Sequence, residues 1–335
     1  EAYYGKDYAY TDILPAIISV STKSSYKFVN DDNDIATRVE QDYNTLLGSL
    51  YEDQHITRAN DWAHGFGAQF RAQTYSMSGL DVAGAASTVT IPEGDNATKG
   101  DGLRLLSAAK NLYDKKYLSM EAITASQEYE LNWETVLFEL TSNFSWGVNR
   151  AIFHGTPYSK SLNGFLADWP GWDMFGKAPL IFAEAYTYRE PYFEEMYMVG
   201  NYVARTQALL QYSTQKVDVV VVRDGAAVSN LGSGNSYQTL LNNGYSYNIM
   251  SEALLRGENA QKISNGMIYE EGPGYKAVIM DSVSTMSPDV LDVLISYAKA
   301  GIPVISVSSN PDKVYGTEMG DRTDASVAAK YAELK

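Results

Sequence analysis

The chain has no cysteine, and only three histidines and ten prolines among its 335 residues. The first absence removes disulfides, thiolate nucleophiles and cysteine-based zinc sites together, and leaves the compartment open. Basic residues are scarce too: 26 Lys and Arg against 41 Asp and Glu give a formal charge of −15. Nucleic acid and anionic membrane surfaces both need basic patches, so neither is expected as a partner. No apolar run exceeds strand length, "VDVVVV" (217–222) being typical, so no bilayer-spanning helix is predicted. HExxH, a nucleophile elbow and Ser-His-Asp ordering are all missing. No signal peptide is visible, and the opening "EAYYGKDYAY" is neither a start nor a leader, so upstream residues are expected.

What is present is apolar and aromatic. Hydrophobic residues make up 45% of the chain and aromatics 12%, enough for large cores and too much for disorder. The length suits two domains. Tyrosine reaches 26 residues, and acidic, tyrosine-rich chains are frequent among secreted carbohydrate-active proteins. Sequons at Asn96 ("NAT") and Asn143 ("NFS") lean the same way.

Strand-like and helix-like segments alternate, the pattern of an α/β protein with parallel sheets. A long helix is predicted over 36–64, stopped by Gly65 and Gly67, then a strand at 68–75 and a polar loop over 76–102. Helix 103–114, strand 117–124, helix 132–145, strand 148–155, an aromatic loop to about 189 and helix 191–212 complete the first unit, residues 1–213. The second, 214–335, holds continuously apolar strands at 216–222, 276–282 and 302–308, as expected for strands buried on both faces. Its helix 287–301 carries a serine cap and a terminal glycine. This layout is flavodoxin-like or amidotransferase-like and doubly wound. "SGNSYQ" (233–238) reads as structural rather than as a phosphate loop.

Strands of the first unit alternate instead. Gln69, Arg71, Gln73 and Tyr75 share one face; so do Tyr117, Ser119 and Glu121, and Arg150 with His154. Polar inner faces with long loops after the strands fit a (β/α)8-type barrel, about half of it present, with the missing upstream half-barrel as its partner. An open sheet is the alternative.

Glu121 leads the candidates, because a mid-strand carboxylate is costly to bury without purpose. The other reading is an ion pair with Arg71 or Arg150. His154 at its strand end is either a ligand to a polyol or a packed core residue. Trp169 and Trp172 in "LADWPGWDMFG" would stack on sugars or plug their own loop. Glu93 and Asp95 reach a ligand from the loop or are solvated. "NDDND" (30–34) lacks the ligand spacing of an EF-hand and reads as a solvated turn. The carboxylates of "YREPYFEEM" (188–196) read as a helix's first turn.

Taken in order, "FGAQFRAQTY", "IPEG", "KKYLSMEAIT", "GVNRAIFHGTPYS" and "YVARTQALLQ…KVDVVVV" resemble family 106 of the glycoside hydrolases, the α-L-rhamnosidases, over most of residues 1–225. The resemblance implies exo-acting, inverting hydrolysis of terminal α-L-rhamnosyl residues from an oligosaccharide or polysaccharide, with calcium helping to hold the sugar. It implies Glu121 as catalytic and Glu1, in "EAYYG", as the partner carboxylate. Arg71, Gln73, Tyr75, Glu93, Arg150, His154, Trp169 and Trp172 are the expected substrate-binding residues. A non-catalytic sugar-binding protein on the same scaffold and a retaining β-galactosidase-like enzyme are the competing expectations. "TYREPYFEE" departs from the tryptophan-rich block the family has there.

Overall fold

The computed structural model describes residues 35–74, 80–95, 98–124, 132–155, 193–223 and 234–335. Glu1, Tyr75, Asn96, Trp169, Trp172 and the "NDDND" turn lie outside them.

Two four-stranded sheets, both entirely parallel, organise the described chain. The first runs in sequential order: β1 (Arg71–Gln73), β2 (Ile91–Gly94), β3 (Ser119–Ala122) and β4 (Arg150–Phe153), each hydrogen-bonded to the strand before it. Before it stand helix α1 (Ile35–Tyr51), a π-helical turn Glu52–Thr57 and α2 (Arg58–Gly65), matching the predicted long helix.

The segment expected to be one loop, 76–102, is not one. It contains helix α3 (Val82–Thr88) and strand β2. Asp81 caps α3 by accepting from the amides of Ala83 and Gly84. The sequence hides both elements. α3 is built of small residues with no large apolar stripe, and "IPEG" places proline and glycine, both poor strand formers, inside a four-residue strand.

Helices α4 (Asp101–Leu112), α5 (Trp133–Ser145) and α6 (Met196–Tyr212) follow β2, β3 and β4. The Asn132 side chain caps α5 from the amide of Thr135. Asn143 of the second sequon lies inside α5, 1% exposed, so its amide is not available to carry a glycan. That sequon is a correction to the sequence reading: helix burial overrides the triplet.

The second sheet is ordered β10–β9–β5–β6, from β5 (Val219–Val222), β6 (Tyr247–Met250), β9 (Ala277–Asp281) and β10 (Val304–Val307). The first strand in sequence is central and its successors leave in both directions, so the sheet has a topological switch point beside β5. A small antiparallel hairpin, β7 (Ile263–Ser264) with β8 (Met267–Ile268), lies between β6 and β9. β5 and β6 are buried along their whole length, β5 as its continuous apolar run requires. β10 is not: Ile305 and Val307 are exposed, because β10 is the edge strand and one of its faces is uncovered. The serine before helix 288–299 also departs from expectation. Ser287 makes no cap bond and donates its hydroxyl to Glu252 Oε2 at 2.7 Å.

Helix α4 joins the two sheets. Every residue from Asp101 to Leu112 except Asn111 is buried, the mark of a helix covered all round. On one side Leu103 packs on β2. On the other, Tyr247 donates its hydroxyl to Asp101 Oδ1 at 2.6 Å, and Arg104 lies over the Tyr247 ring at 4.3 Å. Asn248 donates to the Arg104 carbonyl at 3.1 Å. The "SGNSYQ" stretch belongs to the same seam, Ser236 donating its amide to Asp101 Oδ2. The Gly234 carbonyl accepts from the Asp101 amide at 2.9 Å, and Tyr237 donates its hydroxyl to Asp281 Oδ2 at 2.6 Å, so these groups tie the stretch into the fold.

Candidate active site on the first sheet

Which way the polar side chains of the first sheet point is settled by a glycine. A side chain at Gly94 would meet Leu103 of α4 at 2.6 Å and the Met120 sulfur at 3.3 Å. Gly94 therefore faces the helix layer, and only glycine permits the approach. The register pairs Gly94 with Met120 and Glu93 with Ser119. By alternation, Glu93, Ser119 and Glu121 point away from the helices, as do Arg71 and Gln73 of β1, since Gln73 pairs with Glu93.

On that face the side chains form one network. Gln73 Nε2 donates to Glu121 Oε2 at 2.6 Å and reaches Glu93 Oε1 at 3.4 Å. Glu93 Oε2 accepts from Ser119 Oγ at 2.7 Å and pairs with Arg71 at 3.0 Å. The other oxygen of Glu121 accepts from Thr124 Oγ1 at 3.1 Å. A single amide thus stands between two carboxylates, and the two oxygens it bonds lie within about 6 Å of each other. Glu93 is buried and held by three donors; Glu121 is only half-buried. The first is a fixed acceptor, and the second is the carboxylate with access.

Glu93 is therefore a strand residue of the network and not the loop residue that the sequence reading expects. Arg71 is spent on Glu93, so the proposed ion pair of Glu121 with Arg71 does not form. Arg150 is not its partner either: its guanidinium lies over the Tyr117 ring at 5.2 Å. Arg150 still belongs to the same face, since its Cα pairs with Ser119. His154 follows β4 directly. Its amide donates to the Ala122 carbonyl at 2.9 Å, which places it one layer beyond Ile152, the residue that pairs with Glu121. The peptide bond to Gly155 is cis.

Two members of the network were absent from the sequence candidates. Ser119 carries a signal, since it precedes Glu121 by two residues on one strand. Thr124 carries none, because it lies beyond the strand, where alternation no longer applies.

Among the described residues no three Asp, Glu or His groups gather as a metal cage. Both carboxylates of the network already accept from Arg71, Ser119, Gln73 and Thr124. Every oxygen of the two carboxylates therefore has a donor within the network, and the chemistry below is derived from these side chains.

Comparison with known proteins agrees with this architecture. A rhamnosidase from Novosphingobium sp. PP1Y superposes with a TM-score of 0.69 at 17% identity, over 90% of this chain and 28% of its own. β-Galactosidases from Rahnella sp. R3 and Marinomonas ef1 superpose with TM-scores of 0.53 and 0.52 at 10% and 9% identity. They are matched over 91% and 94% of this chain and 46% and 52% of theirs. The chain thus spans under a third of the rhamnosidase and about half of each β-galactosidase. No curated protein matches it. The sequence pattern of one family, alpha-L-rhamnosidase, fits residues 4–330, and the chain belongs to that family, glycoside hydrolase family 106.

Proposed function

We propose that the protein is an exo-acting, inverting α-L-rhamnosidase whose general acid or base is Glu121. The observation carrying this reading is the placement of Glu121 at the C-terminal end of β3, on the face away from the helices, bonded by Gln73 and Thr124. Barrel glycosidases put their chemistry at that end of their strands. In this reading the first sheet is half of a (β/α)8 barrel, and its sequential order suits that closure. The second sheet is the flavodoxin-like domain that follows it.

Glycoside hydrolysis needs an acid to protonate the leaving oxygen and a carboxylate on the other side of the sugar. Glu121, half-buried and held by one amide and one hydroxyl, is free enough to move a proton. Glu93, fixed by Arg71 and Ser119, serves as an acceptor for sugar hydroxyls and keeps Gln73 aimed. Its nearest oxygen lies closer to Glu121 than the roughly 6.5–9.5 Å of inverting pairs. The base that activates water would then come from elsewhere, Glu1 being the candidate from the resemblance. His154 and Arg150 border the same face and would bind hydroxyls, with Tyr75, Trp169 and Trp172 as further contacts. Calcium and secretion belong to this proposal through the family alone.

The short approach of Glu93 to Glu121 favours a second reading, a retaining enzyme, whose pair stands about 5–5.5 Å apart. It makes a non-catalytic sugar binder the weaker alternative, since a second carboxylate is within reach. Proton NMR during hydrolysis of an aryl α-L-rhamnoside separates the three. β-Rhamnose forming first supports inversion, α-rhamnose first supports retention, and no turnover with retained rhamnose binding supports the binder.

A further inference from the structure

At the opposite end of the strands lies a second polar pocket, of about 180 Å³. It is built where chains enter the sheets: the last turn of α4, the residues before β3 and β4, and the segment leading into β5. Lys116 lies three residues before β3 begins, and Glu121 lies near that strand's other end, so the pocket and the carboxylates stand at opposite ends of the strand.

Its content runs against the rest of the protein. In a chain of net charge −15, the lining brings together Lys110, Lys115 and Lys116. Lys110 is 8% exposed, and its ammonium makes no hydrogen bond or ion pair among the described residues. A lysine whose side chain is this buried, with no counter-charge at its ammonium, is costly to keep charged, and an anion reaching the pocket would relieve the cost. Neither acid of the lining forms an ion pair with Lys110, Lys115 or Lys116 among the described residues. Asp114 accepts from the Tyr269 hydroxyl and from Asn259, and Glu271 is exposed at the rim. Burial lowers the pKa of Lys110 and of Lys115 to about 8, with no carboxylate counteracting it. Lys115 lies near the Tyr113 ring at 5.8 Å and Lys116 near Tyr117 at 5.2 Å, contacts that leave both ammonium groups able to turn to a ligand.

An oriented amide completes the arrangement. Gln215 Oε1 accepts from Ser107 Oγ at 2.8 Å and from Asn111 Nδ2 at 3.1 Å. With its oxygen occupied twice, Gln215 has only its Nε2 donor left to offer. Two ammonium groups and a neutral donor around a small polar hollow are the chemistry of an oxyanion.

We propose that this pocket binds a small inorganic oxyanion, phosphate or sulfate, between Lys110, Lys115 and Gln215, remote from the carboxylates. The anion would tie α4 to the entry of β5 and so brace the seam between the two sheets.

The test is calorimetric titration of the intact protein with inorganic phosphate, and separately with sulfate, at constant ionic strength set by chloride. Saturable one-to-one binding of either anion is expected, weakened at least about tenfold in Lys110→Met, with rhamnoside hydrolysis unchanged. Methionine keeps the length of the chain and removes the charge. Lys115→Met, at a half-buried position, is the second variant if the first does not fold. An isotherm unchanged by these substitutions, or no saturable binding by the wild type, overturns the proposal.

Discussion

The two sheets have the same strand number, the same parallel pairing and a helix in common, yet they are written in different alphabets. β5 reads Val-Val-Val-Val and is buried throughout, because helices and strands enclose it on every side. β1 and β3 read Arg-Ala-Gln and Ser-Met-Glu-Ala, apolar toward the helices and polar on the other side. A sheet buried on both faces leaves no room for chemistry. A sheet whose second face is turned away from the helices can carry charged and amide groups, provided they satisfy one another, as Arg71, Gln73, Glu93, Ser119 and Glu121 do. Strand composition alone thus separates the sheet buried on both faces from the one that carries the polar network.

That contrast breaks most sharply at Val221, which is 0% exposed in the central strand of the second sheet. Val221→Asn puts an unsatisfied amide into an apolar layer and should cost about 4 kcal/mol or more in chemical denaturation. Gln73→Leu is the counterpart in the first sheet. It removes the donor between Glu93 and Glu121, so hydrolysis should fall by about 10²-fold while stability shifts by about 1 kcal/mol. A stability loss as large as that of Val221→Asn would erase the distinction between the sheets.

A smaller effect is expected in front of the first sheet, at Glu52. Burial raises its carboxyl to about 7, and Asp81 and Asp53 add repulsion. The folded state then keeps a proton that the unfolded state loses near its ordinary value of 4.5. Stability should therefore fall as pH rises from about 4.5 to about 7, and Glu52→Gln should flatten that fall in a series of melting temperatures. Least of all should follow from Lys299→Ala, which removes an exposed pair with Glu333 and should change stability by under about 0.5 kcal/mol.

Much of this division is legible in the sequence, for a physical reason. Alternation against continuous apolar runs is a direct record of one buried face or two, so the strands around 71, 119, 150, 219, 277 and 304 stand out. So do Glu121 and its neighbours on one face. What stays hidden follows equally physical rules. β2 is masked by its own Pro92 and Gly94, and Gly94 is there because Leu103 presses on it. With β2 unseen, Glu93 falls into a loop instead of into the network. β6 (Tyr-Asn-Ile-Met) has neither a continuous apolar run nor clean alternation, and its place beside β5 is a matter of tertiary pairing. The partner of Arg71 is likewise decided by register, since Gln73 opposite Glu93 brings Arg71 within reach of it and leaves Glu121 to Gln73 and Thr124.

The claim that everything else serves is that Glu121 moves the proton while Glu93 holds its surroundings in place. Turnover of an aryl α-L-rhamnoside by Glu121→Gln and Glu93→Gln, with melting temperatures recorded alongside, tests it most directly. The account predicts that Glu121→Gln loses at least about 10³-fold in kcat with its melting temperature nearly unchanged. Glu93→Gln should lose both activity and stability, because Arg71 is left without its counter-charge. A Glu121→Gln protein that keeps a tenth or more of wild-type turnover would contradict it.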